Sequence, residues 1–339
     1  WWPTHSSFGC PPADQMARAR IPEPKMDLCL PPTFAYLDRR AGMTTKKMPG
    51  PVVAAEWTCT NRGGHKNNDS VLNNPTNNFL LMLPPLFCKE CHRVNPAGYC
   101  WDIPHISIRD VLLDFLVRNQ GDYNTSVAHA FLTAVDAMRT IHEAFTFRAE
   151  PGTELDDGHL FTTYMRIFKT AFGYETGPCA HLRFKRPECI AYILQNHGVG
   201  FDCSSMQDGY RQRATPDFTQ KIGKVFRIAN RGGVGRIEQI IRLIAGGFPL
   251  FCHYAAGRAF DFVDGNEVYH APAKAGINHA AVLIGSGVHE YPGEGSKIYL
   301  RARGSRDDAA NPQSALQGKG GDFNIWAEDV TDVLGFHLA

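Results

Sequence analysis

Residues 119–126 read NQGDYNTS, and an alanine-rich run follows them. Apolar residues recur there three or four positions apart, which predicts an amphipathic helix. They are Val127, Phe131, Ala134, Val135, Met138 and Ile141. Asn124 and Thr125 are residue types that cap the N-termini of helices. This stretch therefore predicts a polar turn that leads directly into a buried helix.

The bulk composition is that of an ordinary globular protein. The chain has 339 residues, 43% of them hydrophobic, and a formal net charge of +1. This balance gives no electrostatic basis for binding nucleic acid or an acidic membrane surface. No apolar run approaches the roughly 20 residues that span a bilayer, so we expect no membrane span. The sequence assigns no compartment.

Residues 1–104 are rich in Pro, Asn and Gly and lack long apolar periodicity. The runs Leu30-Pro31-Pro32 and Asn73-Asn74-Pro75 favour turns and extended chain over helix. We predict an irregular N-terminal extension that docks on neighbouring structure. A folded domain then occupies residues 105–339, with a polar insertion at about 151–188.

The extension holds a dense group of cysteines. Cys88 and Cys91 form a C-x-x-C pair, with Cys59 and His65 before it and Cys100 after it. Spacing of this kind is typical of small zinc knuckles. The sequence predicts Cys59, Cys88, Cys91 and Cys100 as ligands of a structural zinc ion. Disulfides or reduced thiols are the alternatives, and no other cofactor is expected.

The remaining pattern predicts helices first and strands afterwards. Helices are expected at 160–172, 188–196 and 237–245, the second ending at a glycine suited to a left-handed C-cap, Gly198. After Gly246-Gly247 the apolar period shortens to that of strands, separated by Gly and Pro turns. The predicted strands are 248–254, 267–270, 280–284, 298–302 and 323–327. This order indicates an α+β fold.

Several motifs occur in the order found in papain-like cysteine peptidases, which this chain resembles over about 235 residues. In that family a glutamine that donates to the oxyanion hole lies six residues before the catalytic cysteine, at the start of a long buried helix. Here Gln120 has that place, and the sixth residue after it is Ser126. The segment Asn278-His279-Ala280-Ala281-Val282 is similar to the strand of the catalytic histidine. The resemblance implies a two-lobed fold with a helical lobe and an antiparallel, barrel-like β lobe.

Such a frame performs acyl transfer, and its parts are altered here. A hydroxyl at Ser126 is not ionised by the helix dipole as a thiol is, so it would need His279 as a general base. The family's orienting asparagine, which precedes Ser-Trp-Gly, falls on Ala302 in our alignment. Val127 replaces a tryptophan, and Tyr123 replaces the cysteine of a disulfide. Four departures favour natural degeneration over a single engineered substitution.

We therefore expect a peptidase homologue that is catalytically inactive and acts as a structural or binding subunit of a larger protein assembly. One alternative is an active endopeptidase that uses position 126 and His279. Another is a module that binds peptides without cleaving them.

Overall fold

The computed structural model describes most of the chain after residue 100 and parts of the chain before it. The described residues are 26, 28–29, 56–59, 64–68, 87–94, 100–108, 111–121, 125–146, 154–168, 186–201, 219–230, 233–263, 267–272, 276–291, 295–306 and 321–339. Among them, no helix has the length and apolar character needed to cross a membrane.

Four helices and thirteen strands are formed by the described residues. The helices are α1 Ser126–Thr146, α2 Asp157–Phe168, α3 Pro187–Asn196 and α4 Val234–Ala245. The first six strands are β1 Leu28–Cys29, β2 Glu56–Thr58, β3 Lys66–Asn68, β4 Cys100–Asp102, β5 Ser107–Ile108 and β6 Val111–Leu112. The others are β7 Ile222–Arg227, β8 Leu250–Tyr254, β9 Val268–Tyr269, β10 His279–Tyr291, β11 Gly295–Arg303, β12 Asp322–Trp326 and β13 Thr331–Leu338. The α+β fold class is confirmed.

Nine of the described strands form the main sheet. Its order is β1-β7-β13-β8-β10-β11-β12-β9, with β4 pairing to β10. Pairing is antiparallel in the middle of the sheet and parallel at its two edges, where β1 meets β7 and β9 meets β12. The division into two lobes and the closure of the sheet into a barrel stay predictions.

Helix α1 is the element that the sequence predicted best. All six of its predicted apolar positions are buried, and the helix packs against β8, β10 and β13. The ring of Phe131 stacks on Phe251, with ring centroids 4.8 Å apart, and lies 6.1 Å from the ring of Phe336. Removing a buried aromatic ring of this kind typically costs about 3–5 kcal/mol. The helix is therefore anchored from the sheet side along its apolar stripe.

The other predicted helices are confirmed with shifted ends. Helix α3 ends as expected, because Gly198 takes a positive φ of 75° and its N–H donates to Ile193 O at 2.9 Å. Helix α2 begins three residues earlier than predicted, at Asp157. The end predicted for it, at residue 172, lies outside the described residues.

Four strands of the main sheet escaped prediction, and the two long ones among them are β7 and β13. Both contain a glycine, which weakens a strand pattern. In β13 the glycine is required by packing, because a Cβ on Gly335 would lie 2.2 Å from the ring of Phe226 on β7. Asp332, also in β13, has a positive φ of 45° that is unusual in a strand. Tertiary contact therefore overrides the local pattern here.

The stretch assigned to the N-terminal extension contributes to the main sheet. Strand β1 lies at one edge, and β4 pairs with β10 over Gly285–Gly287. The two backbones approach closely, since a Cβ on Gly285 would lie 2.1 Å from Trp101 O. Most of residues 1–104 lie outside the described residues, and the domain boundary at 104/105 stays a prediction.

Buried ion pairs connect β4, β11 and β12. Arg301 Nε lies 2.5 Å from Asp102 Oδ2, and Arg303 binds both carboxylate oxygens of Asp322, at 2.7 and 2.9 Å. Both arginines are 1% exposed. Removing one partner of a buried pair leaves an uncompensated charge, which typically costs about 3–5 kcal/mol. These pairs hold the strand that leads to the candidate site.

Candidate functional site

Ser126 lies at the N-terminus of α1. It is the first residue of the helix and is 3% exposed. A helix N-terminus carries partial positive charge, which stabilises negative charge on a neighbouring group. The predicted capping is only partly testable, because Asn124 lies outside the described residues. Thr125 does not cap through its side chain to any described residue, as its buried Oγ1 has no hydrogen-bond partner among them.

Gln120 is held by the segment that follows β11. Its backbone N–H donates to Ser305 O at 2.7 Å, and Ser305 Oγ donates to Gln120 Oε1 at 2.5 Å. The neighbouring residues Asn119 and Arg306 form an antiparallel bridge. The Ser305 hydroxyl thus binds the oxygen of the Gln120 carboxamide. The NH₂ group of Gln120, which is the donor needed in an oxyanion hole, therefore lies on the other side of the amide.

Sequence reasoning missed Ser305. The one available signal was that a serine follows the family's orienting asparagine, and an alignment that places the asparagine on Ala302 does not use it.

His279 is the first residue of β10 and pairs with Tyr254 on β8. It is 7% exposed, with the Tyr254 ring centroid at 5.4 Å and that of Phe260 at 6.0 Å. Burial, followed by the positive charge of His253, lowers the pKa of His279 to about 4. Its Nε2 is buried and has no hydrogen-bond partner among the described residues. At neutral pH this imidazole is therefore uncharged and a weak base.

Ala302 lies away from the start of β10. Ala302 pairs with Leu283, four residues along β10 from His279, or about 13 Å at the rise of a strand. The register ends at Val282 opposite Arg303. Since the strands are antiparallel, the segment Gly304–Arg306 runs level with the start of β10. Arg306 fits this placement, because its guanidinium lies 5.5 Å from the centroid of Phe260, the ring beside His279.

The structure connects two of the predicted residues through the segment that follows β11. Gln120 is bound by Ser305 of this segment, and Arg306 of the same segment contacts Phe260, the ring beside His279. Ser126 and His279 are the first residues of α1 and β10, two elements that pack on each other. Ala302 lies opposite Leu283 on β10, and the assignment of the orienting position stays a prediction.

A second buried histidine, which the sequence did not indicate, lies one turn into α1. His129 is 2% exposed, and burial, followed by the positive charge of Arg118, lowers its pKa to about 3. Its Nδ1 has no hydrogen-bond partner among the described residues, and Asp157 Oδ2 lies 4.0 Å away. The start of α1 therefore contains one buried, uncharged imidazole, and the start of β10 contains another, that of His279.

A separate cluster of metal-binding residue types forms in the N-terminal part. One side-chain ligand atom from each of Cys59, His65, Cys88 and Cys91 lies within 4.8 Å of the other three. Burial raises the pKa of the Cys88 thiol, but hydrogen bonds from the backbone of Cys91 and Glu90 outweigh it and lower the pKa to about 6. Thiolate character of this kind favours metal binding.

Cys100, the fourth predicted ligand, has a side chain that lies outside the described residues. Its backbone belongs to β4, where it pairs with Gly287 of the main sheet. Among the described residues the fourth member of the cluster is His65, which lies beside Cys59, whose N–H donates to His65 O at 2.8 Å. Metal binding by the predicted cysteines stays a prediction.

The solved structures similar to this chain include, by their descriptions, a procathepsin and a cysteine protease. The digestive procathepsin L 3 of the Tenebrio molitor larval midgut is 14% identical with a TM-score of 0.43, and the match covers 66% of each chain. The cysteine protease CMS1MS2 of Carica candamarcensis, in complex with E-64, is 17% identical with a TM-score of 0.43. This second match covers 66% of this chain and 92% of that one.

The chain thus spans just under two thirds of the length of the procathepsin. No family model matches the sequence, and no curated protein matches it. A TM-score below 0.5 does not define a common fold.

Proposed function

We propose that this chain is a homologue of papain-like peptidases that has lost hydrolytic activity and serves as a structural or binding subunit of a larger protein assembly. The observation that carries the proposal is the geometry at His279, whose side chain is buried and whose Nε2 has no hydrogen-bond partner among the described residues. Burial also lowers its pKa to about 4, and such an imidazole is a poor general base at neutral pH, because efficient bases have pKa values near the working pH.

The missing orienting residue supports the same conclusion. The residue before Ser305 is Gly304, which has no side chain to hold an imidazole. His279 Nε2 correspondingly has no hydrogen-bond partner among the described residues. In catalytic triads, loss of correct imidazole orientation can reduce the rate by about 10⁴-fold. A serine nucleophile is the most sensitive to this loss, since it depends on the base for deprotonation.

The second candidate is a peptide-binding module. Gln120 favours it, because its carboxamide oxygen is engaged by Ser305 and the amide is held in one orientation. A fixed amide that donates towards a peptide carbonyl contributes to binding even when no bond is cleaved. An assembly role needs no such donor, so peptide binding separates the two candidates.

A hydrolysis assay tests the loss of activity. The full chain, Ser126→Ala and Ser126→Cys are incubated with a mixed peptide library near pH 7, and cleavage is followed by mass spectrometry. We expect neither the full chain nor Ser126→Cys to show more turnover than Ser126→Ala. The thiol of Ser126→Cys should react with iodoacetamide along an ordinary pH profile, without the low-pH plateau of a thiolate–imidazolium pair. Turnover that Ser126→Ala abolishes would establish the endopeptidase alternative instead.

Two further measurements distinguish the binding roles. A subunit should run well above its own 37.6 kDa in size-exclusion chromatography of an extract from its source cells. Elution as a monomer there would overturn the assembly role. If the inactive chain binds library peptides and Gln120→Ala weakens that binding, the peptide-binding module is favoured.

A further inference from the structure

Two segments distant in sequence meet at the cysteine–histidine cluster. Cys59 directly follows β2 and His65 directly precedes β3, so both lie at the closed end of one hairpin. Cys88 and Cys91 lie on a tight turn in which His92 N–H donates to Cys88 O at 2.9 Å and Cys88 N–H donates to Arg93 O at 2.8 Å. The positive φ of His92, 57°, allows the chain to turn back around the two thiols. Each segment supplies two ligands to a common centre.

The distances within the cluster fit tetrahedral zinc. Cys59 Sγ and Cys91 Sγ are 3.5 Å apart, and Cys88 Sγ is 3.5 Å from His65 Nδ1. With Zn–S near 2.3 Å and Zn–N near 2.0 Å, tetrahedral angles give separations of about 3.8 Å between sulfurs and about 3.5 Å from sulfur to nitrogen. A disulfide would need a sulfur–sulfur distance of about 2.05 Å.

Surrounding polar groups hold the histidine and the turn in place. His65 Nε2 lies 3.2 Å from Glu90 Oε2, which leaves Nδ1 as the nitrogen that faces the thiols. Carboxylate partners of this kind orient metal-binding histidines and fix their tautomer. Asn67 connects the two segments, because its side chain donates to His65 O at 3.2 Å and accepts from Lys89 N–H at 3.0 Å.

We infer that Cys59, His65, Cys88 and Cys91 bind one structural zinc ion. Three thiolates and one imidazole complete a tetrahedral shell and leave no position for water or substrate, which is the arrangement of structural rather than catalytic sites. This inference is independent of the proposed loss of peptidase activity.

The site connects the N-terminal part to the main core. Phe87 is buried and Val94 is partly buried in the core cluster, and the two residues form a bridge on either side of the turn. The turn that carries Cys88 and Cys91 is therefore anchored to the hydrophobic core through Phe87 and Val94. The β2–β3 hairpin would be attached to that anchored turn by the metal and by Asn67.

The experiment is metal analysis of the full chain, purified with Zn²⁺ present and then dialysed. We expect one zinc per chain by plasma mass spectrometry, with less than a tenth remaining in Cys88→Ser. The matched control Cys29→Ser alters a cysteine outside the cluster and should keep one zinc. Replacement of zinc by Co²⁺ should give the intense visible bands of tetrahedral cobalt and the near-ultraviolet thiolate charge-transfer bands. At saturating Co²⁺, the charge-transfer intensity per bound cobalt should fall by about a third in Cys59→Ser.

Other outcomes would overturn the inference. A disulfide between Cys59 and Cys91 in the native chain, found by mass spectrometry under non-reducing conditions, would replace the metal. Zinc content that is the same in Cys88→Ser and in the parent would place the metal elsewhere. The variant His65→Ala keeps all three thiols, so it tests whether the loss of zinc in Cys88→Ser is caused by loss of folding. With its helical circular dichroism unchanged, it should bind cobalt with an altered spectrum and at least tenfold more weakly.

Discussion

The cysteine–histidine cluster and the candidate site of Gln120, Ser126 and His279 both contain polar side chains from distant parts of the chain, yet they differ in how those groups are satisfied. In the cluster the ligand atoms lie within 4.8 Å of one another, and His65 also has the carboxylate of Glu90. In the candidate site His279 Nε2 is buried and has no hydrogen-bond partner among the described residues. Buried polar groups are costly unless they are paired. The comparison indicates that the ligand atoms of the cluster converge on one point and that the imidazole of the candidate site does not.

Metal removal should have the largest effect and should act on the cluster alone. Structural zinc sites contribute on the order of 10 kcal/mol in isolated finger peptides. Chelation of the full chain should therefore expose residues 56–68 to protease while β8 and β10–β13 stay intact. Mass spectrometry of the fragments is the measurement. Ser126→Ala changes only the candidate site and should show the same sensitivity to protease after chelation. Resistance of residues 56–68 to protease after chelation would contradict the comparison.

Acid should destabilise the protein through protonation of His279. An unfolded histidine titrates near pH 6.5, whereas the pKa of folded His279 is about 4, so the unfolded state binds more protons between these values. The contribution to stability is complete above about pH 6.5 and is lost as the pH falls towards 4. The expected loss is about 3 kcal/mol. His129, with a pKa of about 3, extends the loss to lower pH.

Urea unfolding at pH 7 and pH 4 measures this term. His279→Phe should remove about 3 kcal/mol of the decrease between the two pH values, because phenylalanine cannot be protonated. The control His142→Phe alters an exposed histidine of the same helix as His129 and should leave the decrease in place. An equal decrease in His279→Phe and in the parent would show that His279 is not the buried, uncharged group described here.

The smallest expected effect concerns the hydrogen bond between Ser305 and Gln120. Ser305→Ala removes the donor to Gln120 Oε1 and should lower the free energy of unfolding by about 1–2 kcal/mol. A double-mutant cycle with Gln120→Leu, followed by urea unfolding, should give a coupling of about 1 kcal/mol. Additive effects of the two substitutions would mean that the hydrogen bond does not hold the carboxamide.

The sequence predicted local structure better than register. The helical spacing from Val127 to Ile141 was sufficient for α1, because an amphipathic period is a property of neighbouring residues. The sequence did not predict that Ala302 pairs with Leu283, since the register of β10 and β11 is set by contacts between strands. It also did not select His65 as one of the four clustered residues.

The sequence by itself determined the α+β class, the position of α1 and the glutamine–serine spacing at its start. These depend on the order and periodicity of residues along the chain. Only the tertiary structure decided that Ser305 holds Gln120, that His65 lies beside Cys59, Cys88 and Cys91, and that His279 Nε2 is buried without a hydrogen-bond partner among the described residues. The physical reason is that burial and partnership are properties of three-dimensional packing, to which residues far apart in sequence contribute together.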